Sequence, residues 1–276
     1  MFPEVNPHIQ PVMAWKVQGQ EVRHSQELLA SESLLVLAIN GLNACHLLYL
    51  PGLETELGLG FLLTSGVIEA MAEVLEIRLA PPDQSNGRFY AHLQVRLAKS
   101  YDVKRDLSAL TAAAVLRGAD EAGRSLRAAQ FRREPGQEVA LTLEQVVALM
   151  AALPQRQEIF RRTGATHAIF LADPASGEVV LGAEDVGRHN AFDKVVGQAL
   201  MKNISTADKI ALLSGRASFE MVFKAARAGI PLMASVSAPT SLAVRLAELQ
   251  GITLIGFVRG PRLNIYTHPQ RLVEVG

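Results

Sequence analysis

Four short polar segments in the second half of the chain have the composition of phosphate-binding loops. They span residues 184–190, 214–218, 235–240 and 257–262, each contains glycine or serine, and arginines occur at positions 188, 216, 259 and 262. Small residues let a backbone approach a ligand closely, and an arginine guanidinium matches a phosphate group with two parallel hydrogen bonds. The segments therefore predict a binding site for a large phosphorylated ligand. The residues predicted to contribute are Arg188, His189, Ser214, Gly215, Arg216, Ser237, Thr240, Phe257, Val258, Arg259, Gly260, Pro261 and Arg262.

Each segment also has an interpretation without a ligand. Ser218 and Thr240 suit the N-cap position of a helix, and Gly215 and Gly260 suit tight turns. A single segment of this kind favours the structural role, because a short Gly/Ser motif is weak. Four of them at equivalent places in a fold make ligand binding an equally good interpretation.

His189 is a candidate general base, because the ordinary pKa of histidine lies near neutrality. A hydrogen bond to a neighbouring loop is the favoured role, and the spacing of Asp185 and Asp193 does not by itself make an acid–base pair. Zinc-dependent deamination of nucleobases needs His-x-Glu and Pro-Cys-x-x-Cys motifs, which the sequence lacks. We therefore expect neither that chemistry nor a zinc site.

Cys45 is the one cysteine of the chain. A single thiol forms no internal disulfide, and a cysteine-rich zinc site needs several thiolates. Cys45 lies in an apolar run, residues 44–50, that predicts a buried strand, where a free cysteine behaves as a small hydrophobic side chain. We therefore expect a structural role for it.

Composition limits the compartment and the partners. The 276 residues carry no net charge and 49% are hydrophobic, which suits a sizeable core and argues against a general nucleic-acid-binding surface. The N-terminus lacks the basic start and apolar stretch of a signal peptide, and the apolar residues 34–51 are interrupted by polar ones. A soluble cytoplasmic protein without membrane segments is expected.

The elements that position the four segments follow from hydrophobic periodicity. Strands are predicted at residues 167–171, 179–181, 209–213, 232–236 and 253–257, with amphipathic helices between them around residues 192–199, 219–226 and 240–250. Alternating strands and helices indicate an α/β sheet with helices packed on it. Ligands of such sheets bind outside the carboxyl ends of the strands, where helix N-termini offer free N–H groups.

The first half is predicted to be strand-rich. Strands are expected at residues 12–17, 33–39 and 92–97, a hairpin at Asn40-Gly41, and a helix over residues 55–65 that ends at Gly66. A capped helix start at Thr142 is predicted to link the halves. We predict an N-terminal α+β domain, 1–140, with a polar loop at 81–87 and a flexible loop at about 102–136, and a C-terminal α/β domain, 141–276.

Longer motifs then identify a resemblance. Residues 184–194, 214–221, 228–231 and 237–244 resemble the signature of the FdhD family of formate dehydrogenase accessory proteins, and residues 59–68 resemble an earlier segment of that family. The resemblance runs from about Asn40 to Pro269.

This resemblance implies a fold and a function. It implies a smaller strand-containing N-terminal domain and a C-terminal α/β/α sandwich like that of cytidine deaminases, in a cytoplasmic homodimer. The resemblance also implies an activity, since family members pass sulfur from a cysteine desulfurase to the molybdenum cofactor of formate dehydrogenase. They bind this cofactor as bis-molybdopterin guanine dinucleotide, and the family's cofactor segment falls on Phe257 to Arg262.

The sequence departs from the family at one motif. Members carry a Cys-Gly-x-Cys-Gly-like motif, whereas the corresponding residues 108–118 contain no cysteine. Carrying sulfur as a persulfide requires a nucleophilic thiolate, so we assign no catalytic residue. Three hypotheses remain: sulfur transfer through Cys45 or an unusual route, cofactor binding and delivery without sulfur chemistry, or binding of another nucleotide. The missing motif favours the second mechanistically, whereas family membership favours the first.

Overall fold

A computed structural model describes residues 7–82, 90–99 and 141–272. The predicted loop at 102–136 and most of the polar loop at 81–87 lie outside these ranges, and the division into domains at residue 140 stays a prediction. Within the described residues, the strands form a two-stranded, a four-stranded and a six-stranded sheet. The two-stranded sheet pairs β1 (Ile9–Gln18) with β2 (Glu21–Ala30) in antiparallel register.

The four-stranded sheet contains the hairpin predicted in the first half. Its strands are β3 (Ser33–Ile39), β4 (Leu42–Tyr49), β5 (Val74–Ala80) and β6 (Tyr90–Leu97), in the order β4-β3-β6-β5. Asn40 and Gly41 join β3 to β4 with φ of 50° and 84°. Positive φ at both turn residues fits the right-handed twist of a hairpin, so this prediction is confirmed.

Helix α1 (Glu54–Thr64) covers the four-stranded sheet and begins and ends one residue earlier than predicted. Gly66 follows it with a φ of 78°, the left-handed conformation predicted for this position. Leu57 and Leu62 of α1 pack with Leu35 and Leu93 of the sheet, and these side chains form one buried core.

The six-stranded sheet has the order β12-β11-β10-β9-β7-β8. Its strands are β7 (His167–Asp173), β8 (Glu178–Asp185), β9 (Ile210–Leu213), β10 (Leu232–Ser235), β11 (Thr253–Arg259) and β12 (Arg262–Thr267). β9, β10 and β11 are parallel, whereas β7 pairs antiparallel with both β8 and β9. The predicted strands are confirmed, but β2, β5 and β12 were not predicted.

Helices cover both faces of this sheet, which confirms the α/β/α sandwich. The helices are α2 (Leu143–Ala151), α3 (Leu153–Arg156), α4 (Glu158–Thr163), α5 (Arg188–Met201), α6 (Phe219–Arg227) and α7 (Ser241–Gln250). One buried cluster joins α5, α6 and α7 to the sheet, and a second joins α2 and α3 to its other face. Among the described helices, none is both long and apolar enough to cross a membrane.

Helix α2 begins with the predicted cap. The Thr142 side chain accepts a hydrogen bond from the Gln145 N–H, and the Gln145 side chain accepts one from the Thr142 N–H. This reciprocal pair satisfies two N–H groups at the helix start.

Two glycines let α1 and α5 cross at close range. A Cβ on Gly60 would lie 1.8 Å from the carbonyl oxygen of Asp193, and one on Gly197 would lie 1.9 Å from that of Glu56. Both distances are far below van der Waals contact. The crossing therefore requires glycine at both positions and fixes the first half of the chain against α5.

Candidate functional site

The four polar segments lie side by side along one edge of the six-stranded sheet. β8, β9, β10 and β11 run in the same direction and end at this edge, where β7 begins. Four inter-strand spacings of roughly 4.8 Å separate β11 from β8, so the edge is about 19 Å wide. The arrangement that the sequence predicts for these segments is therefore present.

Two of the segments are more regular than predicted. Residues 184–190 are not a loop throughout: Glu184 and Asp185 end β8, and α5 begins at Arg188. Residues 257–262 form a β-hairpin rather than a loop, because Arg259 and Arg262 are paired across a turn at Gly260, whose φ is 58°. Strand pairing therefore continues past the point where the apolar pattern stops.

Backbone and side-chain hydrogen bonds connect neighbouring segments. The Ser214 hydroxyl accepts from the Ala168 N–H at 2.8 Å, and the buried Ser235 hydroxyl donates to the Gly215 carbonyl at 2.6 Å. The Ser237 carbonyl accepts from the Phe257 N–H at 3.1 Å. These bonds hold the segments in one continuous edge.

Thr240 has the capping role that was the alternative to ligand binding. Its hydroxyl accepts from the Ala243 N–H at 3.3 Å at the start of α7, while its own N–H donates to the Ala217 carbonyl at 3.0 Å. The side chain remains exposed at the edge.

Phe257 has an unusual backbone conformation. Its φ is 55°, a left-handed value that bulky residues seldom adopt, and its side chain is 39% exposed. Gly256 before it admits no side chain, since a Cβ there would lie 2.9 Å from Pro239 Cδ. Strained backbone of this kind occurs at ligand-binding sites, where the surrounding structure enforces it.

The hairpin places its arginines and its valine differently. Arg259 and Arg262 are exposed, and Arg259 Nε donates to the Val236 carbonyl at 3.1 Å. Val258, in contrast, is only 4% exposed and packs in the core cluster that includes α2. The structure therefore does not bring the Val258 side chain to the edge, and only its backbone can face a ligand there.

A cavity of about 510 Å³ lies between the hairpin and α2. Pro261 and Leu263 form one wall, and Leu143, Val147 and Ala148 form another, with the exposed carboxylate of Glu144 among them. The lining is mostly apolar, as is typical of sites that take the flat ring of a ligand.

His167 belongs to this edge, although sequence reasoning did not select it. The ring contacts Gly215, where an added Cβ would lie 3.1 Å from His167 Nδ1. Burial lowers the pKa of His167, and the nearby guanidinium groups of Arg188 and Arg216 lower it further. The sequence does carry one indication that His167 lies at this edge. It is the first residue of a strand that runs antiparallel to its neighbours and so begins where they end.

His189 is neutral at pH 7. Burial lowers its pKa to about 4, and Arg188 and Lys224 add to this effect, while Glu220 acts in the opposite direction. Nε2 lies 2.7 Å from Glu220 Oε2 in the first turn of α6. A base with so low a pKa accepts protons poorly at neutral pH, so the role as partner of a neighbouring segment is favoured.

Asp185 and Lys194 connect the two halves of the chain rather than face a ligand. The pair is 2.8 Å apart and almost fully buried. Asp185 also accepts from the Leu50 N–H at 3.0 Å, and Lys194 donates to the Leu50 carbonyl at 2.7 Å. Burial lowers the pKa of Lys194, against the opposing effect of Asp185.

A second buried pair involves Asp193, the residue of α5 directly before Lys194. Both carboxylate oxygens of Asp193 accept from Lys224 at 2.7 Å, and Thr64 of α1 donates to Asp193 Oδ1 at 2.7 Å. Burial raises the pKa of Asp193, against the opposing effect of Lys224. We call Asp185, Lys194, Asp193 and Lys224 the polar joint, and its carboxylates are structural rather than an acid–base pair.

Cys45 is half-buried on β4, less than the predicted buried strand implies. Burial raises the pKa of its thiol to about 12, and Asp193 contributes to the increase. The thiolate is the nucleophilic form of cysteine, so Cys45 is a poor nucleophile at neutral pH. Within the described ranges, no group of three or more His, Cys, Asp or Glu side chains is placed to hold a metal ion.

Comparisons with known proteins give one consistent family. The model of the FdhD/NarQ family matches residues 30–273. A protein named sulfur carrier protein FdhD from Bordetella parapertussis is 40% identical over 248 residues, covering 88% of this chain and 87% of that protein. Proteins of the same name from Nocardia farcinica and Mycobacterium tuberculosis are 39% and 38% identical, covering 92% and 94% of this chain and 91% and 100% of theirs.

A solved structure shares the fold. The crystal structure of a protein described as a formate dehydrogenase accessory protein from Desulfotalea psychrophila superposes with a TM-score of 0.76. The alignment covers 97% of this chain and 100% of that one at 24% sequence identity. At this identity the comparison establishes the fold alone.

Proposed function

The chain belongs to the FdhD/NarQ family, and on that premise we propose that it is a formate dehydrogenase accessory protein that binds the molybdenum cofactor in its guanine dinucleotide form. The relatives at about 40% identity bear the name sulfur carrier protein FdhD. The protein with the same fold is described as a formate dehydrogenase accessory protein.

One observation carries the proposal: arginines follow three of the strands that end at this edge of the six-stranded sheet, including those at its two sides. Arg188 starts α5 after β8, Arg216 follows β9, and Arg259 and Arg262 flank the turn after β11. An edge about 19 Å wide suits an extended ligand with phosphates at several places, as a dinucleotide has. The edge also lies outside the carboxyl ends of parallel strands, the general ligand position of open α/β sheets.

The residues present fit such a ligand. The exposed guanidinium groups of Arg259 and Arg262 would hold phosphate oxygens, and the left-handed Phe257 turns an aromatic side chain outward beside them. The apolar cavity next to Pro261 would take a flat ring, with the Glu144 carboxylate able to accept from ring N–H groups. When bound, the cofactor supplies the redox chemistry of the client enzyme, and this chain binds and orients it.

Delivery of the cofactor without sulfur transfer is the alternative that the chemistry of Cys45 favours. Uptake of sulfur requires a thiolate that attacks a sulfane sulfur, forming a persulfide and releasing the donor thiolate. The Cys45 side chain is half-buried, and burial raises the pKa of its thiol to about 12. The thiol is therefore protonated at neutral pH. The family role as sulfur carrier would therefore need a nucleophile that this chain does not offer.

The partners follow from the same family membership. We propose formate dehydrogenase as the client, a cysteine desulfurase as sulfur donor if sulfur transfer is retained, a homodimeric state and a cytoplasmic location. No nucleic-acid or membrane partner is proposed, in keeping with a net charge of zero.

Binding of guanosine diphosphate by calorimetry tests the proposal. Arg216→Ala and Arg262→Ala are expected to weaken the affinity about tenfold or more each, because each removes a charged hydrogen-bond donor. Arg78→Ala, an exposed arginine of the four-stranded sheet, is the matched control and should leave the affinity unchanged. Unchanged affinity in both edge variants would refute the proposed site.

A further inference from the structure

We propose that the first turns of α5 and α6, together with the start of β7, bind one phosphate group. The site, which we call the α5–α6 junction, consists of His167, Arg188, His189, Arg216 and Ser218. The inference deepens the proposed function and rests on it for the identity of the ligand that carries the phosphate. Neither Ser218, which suits a helix N-cap, nor His167, at the start of a strand, was predicted to contact a ligand.

Contacts bring the parts of the junction together. His189 of α5 lies 2.7 Å from Glu220 of α6, so the first turns of the two helices are neighbours. His167 packs against Gly215, directly before Arg216, and it is within electrostatic range of Arg188. His167 therefore lies within electrostatic range of both guanidinium groups and of His189, near the starts of the two helices.

Neither helix start is capped by a side chain. α5 follows Gly187, which has none, and the Ser218 hydroxyl at the N-cap of α6 makes no capping hydrogen bond. By contrast, Thr142 caps α2 and Thr240 caps α7. Uncapped N–H groups and the positive end of the helix dipole favour an anion at both starts.

The junction contains buried polar atoms that lack hydrogen-bond partners. Ser218 Oγ and Arg188 Nε are excluded from solvent, and neither has a partner within the described part of the chain. Buried polar atoms are almost always hydrogen-bonded in native proteins, so such atoms indicate a missing partner. Phosphate oxygens accept hydrogen bonds from both a hydroxyl and a guanidinium N–H, so one phosphate could satisfy both donors.

The charges at the junction suit a doubly charged anion. Arg188 and Arg216 are positive, and burial lowers the pKa of both imidazoles and so favours their neutral form. Lys224 is bound to Asp193 and is not available. Among the described residues, Glu220 is the carboxylate that faces His189, and with half of its side chain exposed it can turn away.

Titration with inorganic phosphate tests the junction, followed by calorimetry and by the NMR signals of the His167 and His189 rings. Arg188→Gln is expected to weaken phosphate affinity about tenfold or more, and Ser218→Ala by about threefold or more. Glu220→Gln should strengthen it, because the variant removes the opposing charge. Arg78→Gln and Ser176→Ala, on other parts of the surface, are the matched controls.

The outcomes separate this inference from the proposed function. Phosphate binding that depends on Arg188 and Ser218, in a protein that does not bind guanosine diphosphate, would support the junction while refuting the proposed cofactor. Nucleotide binding that depends on Arg262, with no phosphate binding at the junction, would overturn this inference alone. Glu220 lies on the surface, so its variant keeps the test valid if Ser218→Ala or Arg188→Gln unfolds.

Discussion

Lys194→Met tests whether the polar joint fixes the two halves of the chain to each other. Methionine keeps the apolar stem of lysine but removes the ammonium group, which lies 2.8 Å from Asp185 and 5.5 Å from the centre of the Tyr49 ring. Asp185 would remain fully buried with an unpaired charge, and the Leu50 carbonyl would lose its donor. Removing one partner of a buried ion pair costs roughly 3–5 kcal/mol, so we expect a loss of this size in the free energy of unfolding.

Urea denaturation followed by circular dichroism measures that loss, and Cys45 adds a local readout. Cys45 lies on β4, which ends at Tyr49 directly before the joint contact of Leu50. Loosening of this strand should therefore speed the reaction of Cys45 with a thiol reagent. Lys202→Met, at an exposed lysine just past α5, is the matched control, with an expected change within about 0.5 kcal/mol. A loss below about 1 kcal/mol in Lys194→Met, with unchanged Cys45 reactivity, would refute the reasoning.

The other predictions concern helix packing, pH and the thiol. Gly60→Ala should lower the free energy of unfolding by several kcal/mol in urea denaturation, because its Cβ would overlap the Asp193 carbonyl; Gly177→Ala, at an open turn, should cost only about 1 kcal/mol. Since the folded-state pKa of His189 lies below its unfolded value, stability should be lost as the pH falls from about 6.5 towards 4, and thermal melts of His189→Gln should show a smaller loss. An equal loss of stability in His189→Gln would contradict the claim that protonation of His189 destabilises the fold. Cys45 should react slowly with thiol reagents at pH 7 and carry no persulfide after incubation with a cysteine desulfurase and cysteine. A persulfide that forms on the wild type but not on Cys45→Ala would instead support sulfur transfer through Cys45.

Local patterns were sufficient to predict most of the six-stranded sheet. Short apolar runs bounded by Gly, Pro and Asp turns identified five of its strands, and the threonine and glutamine at the start of α2 predicted its cap. β12 was not predicted, because its first residue, Arg262, was interpreted as the end of a ligand-binding loop and residues 263–267 were assigned to no element. Its alternation of polar and apolar residues is nevertheless that of a half-buried strand.

The polar joint could not be predicted from the sequence, since its partners are distant along the chain. Thr64 lies 129 residues from Asp193 and 160 from Lys224, and single-residue patterns hold no information on such pairs. The position of His167 at the edge could not be predicted for the same reason, because its neighbours there come from other strands. Arg188 and His189 were therefore predicted as ligand contacts, whereas no structural role was predicted for Asp185 and Asp193, which hold the fold together.

The arrangement assigns different tasks to residues of the same motif. Asp185 and Lys194 bind the first half of the chain to α5, while Arg188, between them in sequence, lies at the edge of the sheet. A buried joint behind the edge would hold the arginines in place for the proposed ligand, and such preorganisation raises affinity.

The central claim is that the arginine edge binds a phosphorylated guanine ligand. Calorimetric titration of the intact protein with guanosine diphosphate, compared with the double variant Arg216→Ala/Arg262→Ala, tests it most directly. We predict saturable binding by the wild type and a loss of affinity of about 100-fold in the double variant, if the two sites are independent. Equal affinity of the two proteins, in samples with the same melting temperature, would contradict the claim.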